Sequence, residues 1–253
     1  MLALPLWFLL VTLTILGAIW GSFVAALVGR WPRGESVTTG RSRCDQCAHQ
    51  IAPYDLVPII SHFLLNGRCR YCREKIGLAS LAIEAVAALG GMTAVLLLPA
   101  DQALAAAIFF WMLLPLIILD YRHLWLPNLL VLPLAVAGLV VGPVLTPDVI
   151  MMDRIIGLLA GFVSLEAIRL VYKKYRNQDG MGAGDAKLFG ALGIWLGWQA
   201  LPMTLLIGSG IGIAIVLVMQ LTPKGHRTAF PFGSYLSVAA CLVILLNHHF
   251  EIY

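Results

Sequence analysis

The sequence has few charged residues. Asp, Glu, Lys and Arg make up 12% of its 253 residues, whereas about 25% is usual in soluble globular domains. Hydrophobic residues make up 60%, and the mean hydropathy is +0.89. This composition excludes an ordinary water-soluble globular protein and predicts a protein that crosses a membrane.

The chain also lacks the marks of a cleaved export signal. No basic segment precedes the first apolar run, and no small-residue cleavage site follows it, so we expect that run to be a retained transmembrane helix. At about 20 residues per crossing, the apolar runs predict an all-α polytopic membrane protein with about eight transmembrane helices, or seven if the short sixth run does not cross. The runs are 4–28, 78–99, 103–119, 124–145, 154–172, 186–199, 200–221 and 229–247.

Basic residues are nearly missing from one side of this bundle. If the amino terminus is outside, all 17 Lys and Arg residues except Arg154 fall in cytoplasmic segments. The positive-inside rule therefore predicts a periplasmic amino terminus and a cytoplasmic loop at 30–78. The net charge of +4 requires no nucleic-acid partner, although anionic lipid headgroups can meet the basic loop.

Cysteines are few, but four of the five are paired. Cys44 and Cys47 form one Cys-x-x-Cys motif, and Cys69 and Cys72 form a second after 21 intervening residues. Two such motifs supply the four thiolate ligands of tetrahedral Zn²⁺. Because four thiolates leave no open position, we expect a structural zinc that stabilises a loop too short to build its own core. The alternative, a redox or disulfide pair, is disfavoured in a reducing cytoplasm.

The sequence has no HExxH helix and no Ser/His/Asp set, which leaves carboxylates as candidate catalytic groups. Asp120 directly follows an apolar run, and Asp185 lies in the glycine-rich stretch GMGAGDAK at 180–187. Both are predicted at the cytoplasmic ends of their spans. Two carboxylates that meet can share one proton, so that one acts as base and the other as acid on a peptide bond.

These acids have other interpretations. Asp120 could be only the polar end of a helix, although an acid at a helix carboxyl end opposes the helix dipole. Asp179, in the polar loop, is a rival for the second carboxylate. Glu84, inside the second run, is by default a functional residue, but it could be hydrated or paired with an arginine. A proton-coupled transporter would use Glu84, Asp120 and Asp185 as a relay, although relay acids usually lie nearer the midplane.

Together these motifs resemble the type IV prepilin leader peptidases, which are GxGD aspartyl proteases of the bacterial inner membrane. The resemblance covers nearly the whole chain and implies that Asp120 and Asp185 are catalytic and that the four paired cysteines bind zinc. It rests on GSF at 21–23, the two Cys-x-x-Cys pairs, VPIIS at 57–61, Asp120 with Pro127 seven residues on, GAGDAK at 182–187, and FPFG at 230–233.

The resemblance implies two reactions at the cytoplasmic membrane face. One is cleavage of the basic leader of a prepilin or type II secretion pseudopilin, and the other is methylation of the new amino terminus with S-adenosylmethionine. The chain departs from the family pattern at 78–81, LASL, and at Ser234, where proline commonly follows Phe-Gly. No glycine-rich Rossmann turn marks a methyl-donor site, so the donor-binding residues stay unassigned apart from a suspected role for Glu84.

A peptidase without methyltransferase activity is the nearer alternative, although the resemblance implies that a chain with all four paired cysteines has both activities. The expected organisation has three parts. Residues 1–29 form the first transmembrane helix, 30–78 the zinc-binding domain, and 79–253 the transmembrane peptidase core.

Overall fold

The computed structural model describes residues 5–36, 42–44, 46–177, 181–221 and 230–250, with side chains in the last segment to residue 248. Over these ranges the regular structure is helical, with two 3₁₀ turns at Trp31–Arg33 and Pro53–Leu56 and two isolated β-bridges. The helices are α1 (Leu6–Arg30), α2 (Ile60–Leu64), α3 (Leu78–Leu97), α4 (Ala100–His123), α5 (Asn128–Val140), α6 (Gly142–Leu145), α7 (Met151–Arg176), α8 (Ala183–Leu196), α9 (Leu201–Gln220) and α10 (Phe232–Phe250).

Each of the eight predicted apolar runs contains a helix, which confirms the all-α fold class. Five helices, α1, α3, α4, α7 and α9, are long and apolar enough to cross a membrane, and α5 and α10 are shorter apolar helices. The short sixth run is α8, and all but three of its 14 residues are buried. The chain is therefore a multi-pass membrane protein in which α8 is enclosed by protein.

The contacts divide the chain into two compact units, residues 1–115 and 116–253. In the first unit, α1 lies directly against α3 because glycines remove side chains from the contact. A Cβ at Gly17 would collide with the Ala87 carbonyl, and one at Gly21 would lie 2.6 Å from Glu84 Cα. Small residues permit this close helix approach in lipid. The predicted domain boundaries at 29 and 78 stay predictions.

In the second unit, α8 packs between α5 and α7. A Cβ on either Gly157 of α7 or Gly193 of α8 would collide with the other residue's backbone, so these two helices touch along their main chains. On the α5 side, Trp195 Nε1 donates a 2.8 Å hydrogen bond to the Leu134 carbonyl. The first turn of α8, which contains Asp185, is thus the start of a tightly held helix.

Arg154 is fully buried at the opposite end of α8. Its guanidinium donates to the carbonyls of Ile194 and Trp195 at 2.9 and 3.1 Å, and to Thr146 O and Oγ1 at 2.6 and 2.9 Å. The last carbonyls of a helix have no partner within the helix, and a cation there is favourable. Arg154, the only basic residue that the sequence assigns to the outer side, therefore satisfies the end of a buried helix.

Candidate active site and metal centre

Asp120 lies in the last turn of α4 and is only 4% exposed. Its Oδ2 atom accepts a 2.6 Å hydrogen bond from the Ser234 N–H and a 3.0 Å bond from Ser234 Oγ. Ser234 is in the first turn of α10, where backbone N–H groups have no partner in their own helix. Asp120 therefore caps the amino end of α10, and the positive end of that helix offsets the unfavourable position of an acid at the end of α4.

Asp185 is the third residue of α8 and is 6% exposed. The backbones of Gly182 and Gly233 lie beside its carboxylate. Its position in the first turn of a helix also favours a negative charge. Both acids thus lie at helix amino ends, Asp185 at that of its own helix and Asp120 at that of α10.

Gly233 lies between the two carboxylates. A Cβ on Gly233 would be 3.0 Å from Asp185 Oδ1, 3.2 Å from Asp120 Oδ2 and 2.7 Å from Leu126 Cδ1. One point in space is therefore within 3.2 Å of an oxygen from each acid. The structure brings Asp120 and Asp185 together at a position that has no room for a side chain.

Leu126 bounds this site on the α5 side. A Cβ on Gly184 would lie 2.8 Å from Leu126 Cβ, so the glycines at 184 and 233 both make room for the same leucine. Nearby, Lys187 Nζ donates a 3.0 Å hydrogen bond to Asn128 Oδ1 at the start of α5. These contacts hold the first turn of α8 against the first turn of α5.

The arrangement can perform acid and base chemistry on a peptide bond. Two neighbouring carboxylates do not both ionise easily, so one can activate water while the other donates a proton. Their low exposure strengthens their interaction with each other and with a bound substrate. The rival acid Asp179, and Gly180 of the glycine-rich stretch, lie outside the described residues.

The four paired cysteines form a second cluster, in the first unit. Their Sγ atoms all lie within 4.8 Å of one another, and those of Cys44 and Cys72 are 3.8 Å apart. A tetrahedral zinc with Zn–S bonds of about 2.3 Å requires sulfurs about 3.8 Å apart. The four residues fit a zinc ion.

The two cysteine motifs have the same backbone turn. Cys44 N–H bonds to His49 O at 3.0 Å, and Cys69 N–H bonds to Glu74 O at 2.9 Å, five residues on in each case. The residue four positions after each first cysteine has a positive φ, 55° at Ala48 and 59° at Arg73. An isolated bridge closes each turn, Arg43 with Gln50 and Arg68 with Lys75. Each turn therefore presents two thiols in the same way.

A cavity of about 250 Å³ lies beside this cluster. Within its lining, Arg70 donates hydrogen bonds of 2.9 and 2.6 Å to Asp55, which hold the pKa of the Asp55 carboxyl below its usual range. The rings of His49 and Tyr71 also line the cavity, with centroids 3.5 Å apart. Apolar side chains complete the wall: Ile51, Leu65 and Ile76. This mixture of charged, aromatic and apolar groups suits a small polar ligand that contains a flat ring.

Two family models match the chain. The bacterial peptidase A24 N-terminal domain matches residues 15–98, and the type IV leader peptidase family matches residues 107–217. A protein of Aeromonas salmonicida is 37% identical over 207 residues, which cover 81% of this chain and 71% of that protein. The chain belongs to the type IV leader peptidase family.

Two longer matches support membership of the leader peptidase family. A protein of Pseudomonas aeruginosa is 32% identical over 269 residues, covering 95% of this chain and 91% of its own. A protein of Burkholderia pseudomallei is 33% identical over 277 residues, covering 98% and 89%. All three relatives are described as prepilin leader peptidase/N-methyltransferase. No solved structure matches the chain.

Glu84 has a partner within the N-terminal family domain. Its Oε2 atom accepts a 2.8 Å hydrogen bond from the Ile59 backbone N–H. Ile59 has a φ of 63°, which is unusual for a β-branched residue, so Glu84 holds a strained turn of the VPIIS segment. Glu84 is not among the described residues that line the cavity beside the cysteines.

Sequence reasoning misses what Ser234 and Gly233 do in this member of the leader peptidase family. From the sequence, Ser234 is only a departure from the family pattern, and Gly233 is only the last residue of the FPFG motif at 230–233. Their roles depend on the approach of α10 to α4 and α8, which no local pattern reveals. The usable signal is an acid at a helix carboxyl end, because such an acid calls for a compensating partner from elsewhere in the fold.

Proposed function

We propose that this chain cleaves the basic leader of type IV prepilins or type II secretion pseudopilins, with Asp120 and Asp185 as the catalytic pair, and then N-methylates the exposed amino terminus. The observation that carries the proposal is the meeting of two buried carboxylates at Gly233 in a chain of the type IV leader peptidase family. The descriptions of its relatives name both activities.

The carboxylate pair can complete hydrolysis without a net change of protons. The ionised member takes a proton from water as the water oxygen attacks the scissile carbonyl, and the protonated member donates its proton to the carbonyl oxygen. When the C–N bond breaks, the leaving amine takes a proton from the first carboxyl. The second recovers its proton from one hydroxyl of the tetrahedral intermediate, whose oxygen becomes the carbonyl of the new carboxylic acid. The pair ends with one proton, as it began.

The test is cleavage of a synthetic prepilin by the purified protein in detergent. Asp120→Asn and Asp185→Asn should each abolish cleavage, because an amide can neither accept the water proton nor donate a carboxyl proton. Asp153→Asn is the matched control, since Asp153 accepts a 3.0 Å bond from Trp198, beyond the carboxyl end of α8, and should retain activity. Cleavage by either dyad variant would contradict the assignment. No cleavage by the wild-type chain would favour the proton-coupled transporter.

We place a structural zinc on Cys44, Cys47, Cys69 and Cys72. The ion would supply stability that the small loop cannot obtain from apolar burial. Four thiolates complete a tetrahedral shell, so the zinc would have no open position for a substrate. The close spacing of the sulfurs supports this assignment.

We place the methyl donor, S-adenosylmethionine, in the cavity beside the cysteines. When bound, the donor supplies the methyl group, which moves to the amine as the amine loses a proton. His49 and Tyr71 offer aromatic faces for an adenine, while acidic and basic side chains of the lining, such as Glu74 and Lys75, match the charges of an amino acid. At about 250 Å³ the cavity is smaller than the usual ligand pocket of at least about 300 Å³, so it would enclose part of the donor.

Filling the cavity tests this placement without relying on activity. Ile76→Trp should prevent binding of labelled S-adenosylmethionine in equilibrium dialysis while leaving the zinc content unchanged. Ile60→Trp is the control, because Ile60 is exposed and is not among the residues that line the cavity. Wild-type binding by Ile76→Trp would contradict the placement. If Glu84→Gln lost binding of S-adenosylmethionine while Ile76→Trp kept it, the donor site would instead be assigned to Glu84.

We further propose a bacterial inner-membrane location, with the amino terminus periplasmic and both the zinc domain (30–78) and the carboxylate pair cytoplasmic. In this arrangement 1–29 is the first transmembrane helix and 79–253 the peptidase core. The distribution of basic residues supports the orientation, and a basic substrate leader would be held on the same side. Alkaline phosphatase fused after residue 148 should be active and after residue 176 inactive. The reverse result would contradict it.

A further inference from the structure

Ser234 has two hydrogen-bond acceptors for one hydroxyl proton. Its Oγ atom lies 3.0 Å from Asp120 Oδ2 and 2.9 Å from the Ile117 carbonyl oxygen. A serine hydroxyl has a single hydrogen but can also accept hydrogen bonds through its lone pairs. Ser234 is only 3% exposed, so bulk water cannot replace a lost hydrogen-bond partner of its hydroxyl.

We propose that Ser234 is a positioning residue that lets Asp120 pass between carboxylate and carboxylic acid while it keeps its hydrogen bonds, because the Ser234 hydroxyl turns between Asp120 and Ile117. This inference rests on the proposed role of Asp120 in cleavage. It adds a third side chain to the carboxylate pair, and Ser234 acts through Asp120 without touching the substrate.

The two states account for every proton. When Asp120 is ionised, the Ser234 hydroxyl donates to Asp120 Oδ2 beside the backbone N–H of Ser234. When Asp120 holds a proton on Oδ2, the carboxyl O–H donates to Ser234 Oγ, and the serine proton turns to the Ile117 carbonyl. Ser234 neither gains nor loses a proton. No buried donor is left unpaired in either state, which avoids a cost of about 1–3 kcal/mol.

Ser234 is one of the two places where the chain departs from the family pattern that it resembles. Proline, which the family pattern commonly has at this position, carries neither an N–H nor a hydroxyl, so it could make neither bond to Asp120. The expected contribution is therefore a tuning of the reaction rate, smaller than that of the acids themselves.

Ser237 provides a matched control. It lies in the same helix, is fully buried, and its Oγ donates a 2.8 Å hydrogen bond to the Gly233 carbonyl four residues earlier. Its bond stays within α10. Removal of either hydroxyl deletes one oxygen from the same helix, but only Ser234 bonds to Asp120.

The experiment compares steady-state cleavage of a synthetic prepilin by wild type, Ser234→Ala, Ser234→Thr and Ser237→Ala. Ser234→Ala should lower kcat about tenfold, the low end for a hydrogen bond to a charged group, with KM changed by less than about twofold. Ser234→Thr keeps the hydroxyl and should restore kcat. If Ser234→Ala does not fold, Ser234→Cys keeps the volume with a poor donor and should show the same loss.

An infrared measurement separates positioning from stability. At acidic pH, where both carboxyls carry protons, the C=O band of Asp120 is identified by its loss in Asp120→Asn. That band should shift in Ser234→Ala and stay in place in Ser237→Ala. An unchanged band, wild-type kcat in Ser234→Ala or Ser234→Cys, or an equal loss in Ser237→Ala would overturn the inference. Cleavage by Asp120→Asn would instead overturn the proposed function.

Discussion

The cysteine cluster and the carboxylate pair gather their side chains over very different lengths of chain. Each pair of thiols comes from one short turn that has its own hydrogen bonds and a bridge, and the ligands remain half-buried or exposed. Asp120 and Asp185 come from separate helices, are nearly fully buried, and both contact the start of α10. The cysteine cluster therefore depends on local turns and on the zinc proposed for it, and the carboxylate pair depends on the packing of distant helices.

The largest effect should follow from a change at the meeting point of the acids. Gly233→Ala inserts a Cβ within 3.2 Å of oxygens from both Asp120 and Asp185, and should lower cleavage at least about 100-fold, because a displacement of about 1 Å in a catalytic group costs that much. Zinc content should not change. Gly210→Ala is the control, since a Cβ there meets no atom within 4 Å. Near-normal cleavage by Gly233→Ala would show that the pair tolerates displacement.

The metal site should fail separately from the peptidase site. Cys44→Ser should reduce bound zinc from one ion per chain to almost none, and should lower methyl transfer before cleavage. Metal analysis, a labelled-methyl assay and a cleavage assay on the same preparation would show whether zinc and methyl transfer are lost before cleavage. Cys241→Ala, which changes the cysteine outside the cluster, is the control. Unchanged zinc content in Cys44→Ser, or loss of cleavage before methyl transfer, would break the separation.

Long-range packing should contribute to stability at the far end of α8. Arg154→Met removes a buried guanidinium that serves four acceptor contacts on Ile194, Trp195 and Thr146. It should destabilise the fold by a few kcal/mol, because the guanidinium hydrogen bonds are lost and the buried Ile194 carbonyl loses the donor that Arg154 supplies. The carbonyls of Trp195 and Thr146 keep bonds from Thr146 Oγ1 and the Val149 N–H. Thermal unfolding in detergent measures the destabilisation. Arg169→Met, which removes a partly exposed pair with Glu166, should have much less effect. Equal effects would mean that burial of Arg154 adds little.

The smallest effect is expected for the ion pair of the cysteine domain. Asp55 is paired with Arg70, which is 47% exposed, so Asp55→Asn should lower the unfolding temperature by only about one degree. The pKa of folded Asp55 is depressed by this pair. Its contribution is therefore present above the unfolded pKa of about 3.9 and disappears as the pH falls through the folded value. The difference from wild type should be seen at pH 7 and vanish in acid.

The clustering of the four cysteines could be predicted from the sequence because the geometry of each motif is local. Spacing within each Cys-x-x-Cys motif fixes two thiols on one turn, and only the pairing of the two turns had to be assumed. The positive φ angles at Ala48 and Arg73 could not be predicted from the sequence, because neither residue is a glycine. The apolar runs could also be predicted, because each contains a helix, but bilayer thickness accounts for the length of only the five helices that are long enough to cross a membrane.

The remainder of the candidate active site depends on contacts between distant segments. The sequence predicts that Asp120 and Asp185 work as a pair, but the hydrogen bonds of Ser234 join residues more than 100 positions apart. Nothing in the composition of α10 indicates which of its serines faces an acid. Arg154 shows the same limit, because a single charge beside an apolar run can lie at a membrane surface or be buried against helix carbonyls.

Gly233 also restricts how the gene can change. Every amino acid that a single base substitution can put in place of glycine carries a Cβ, and at this position a Cβ meets both acids and Leu126. A replacement therefore has to displace Leu126 or one of the two acids. Third-base changes of a glycine codon are silent, so this restriction applies only to amino-acid replacements at residue 233, which itself supplies no reacting group.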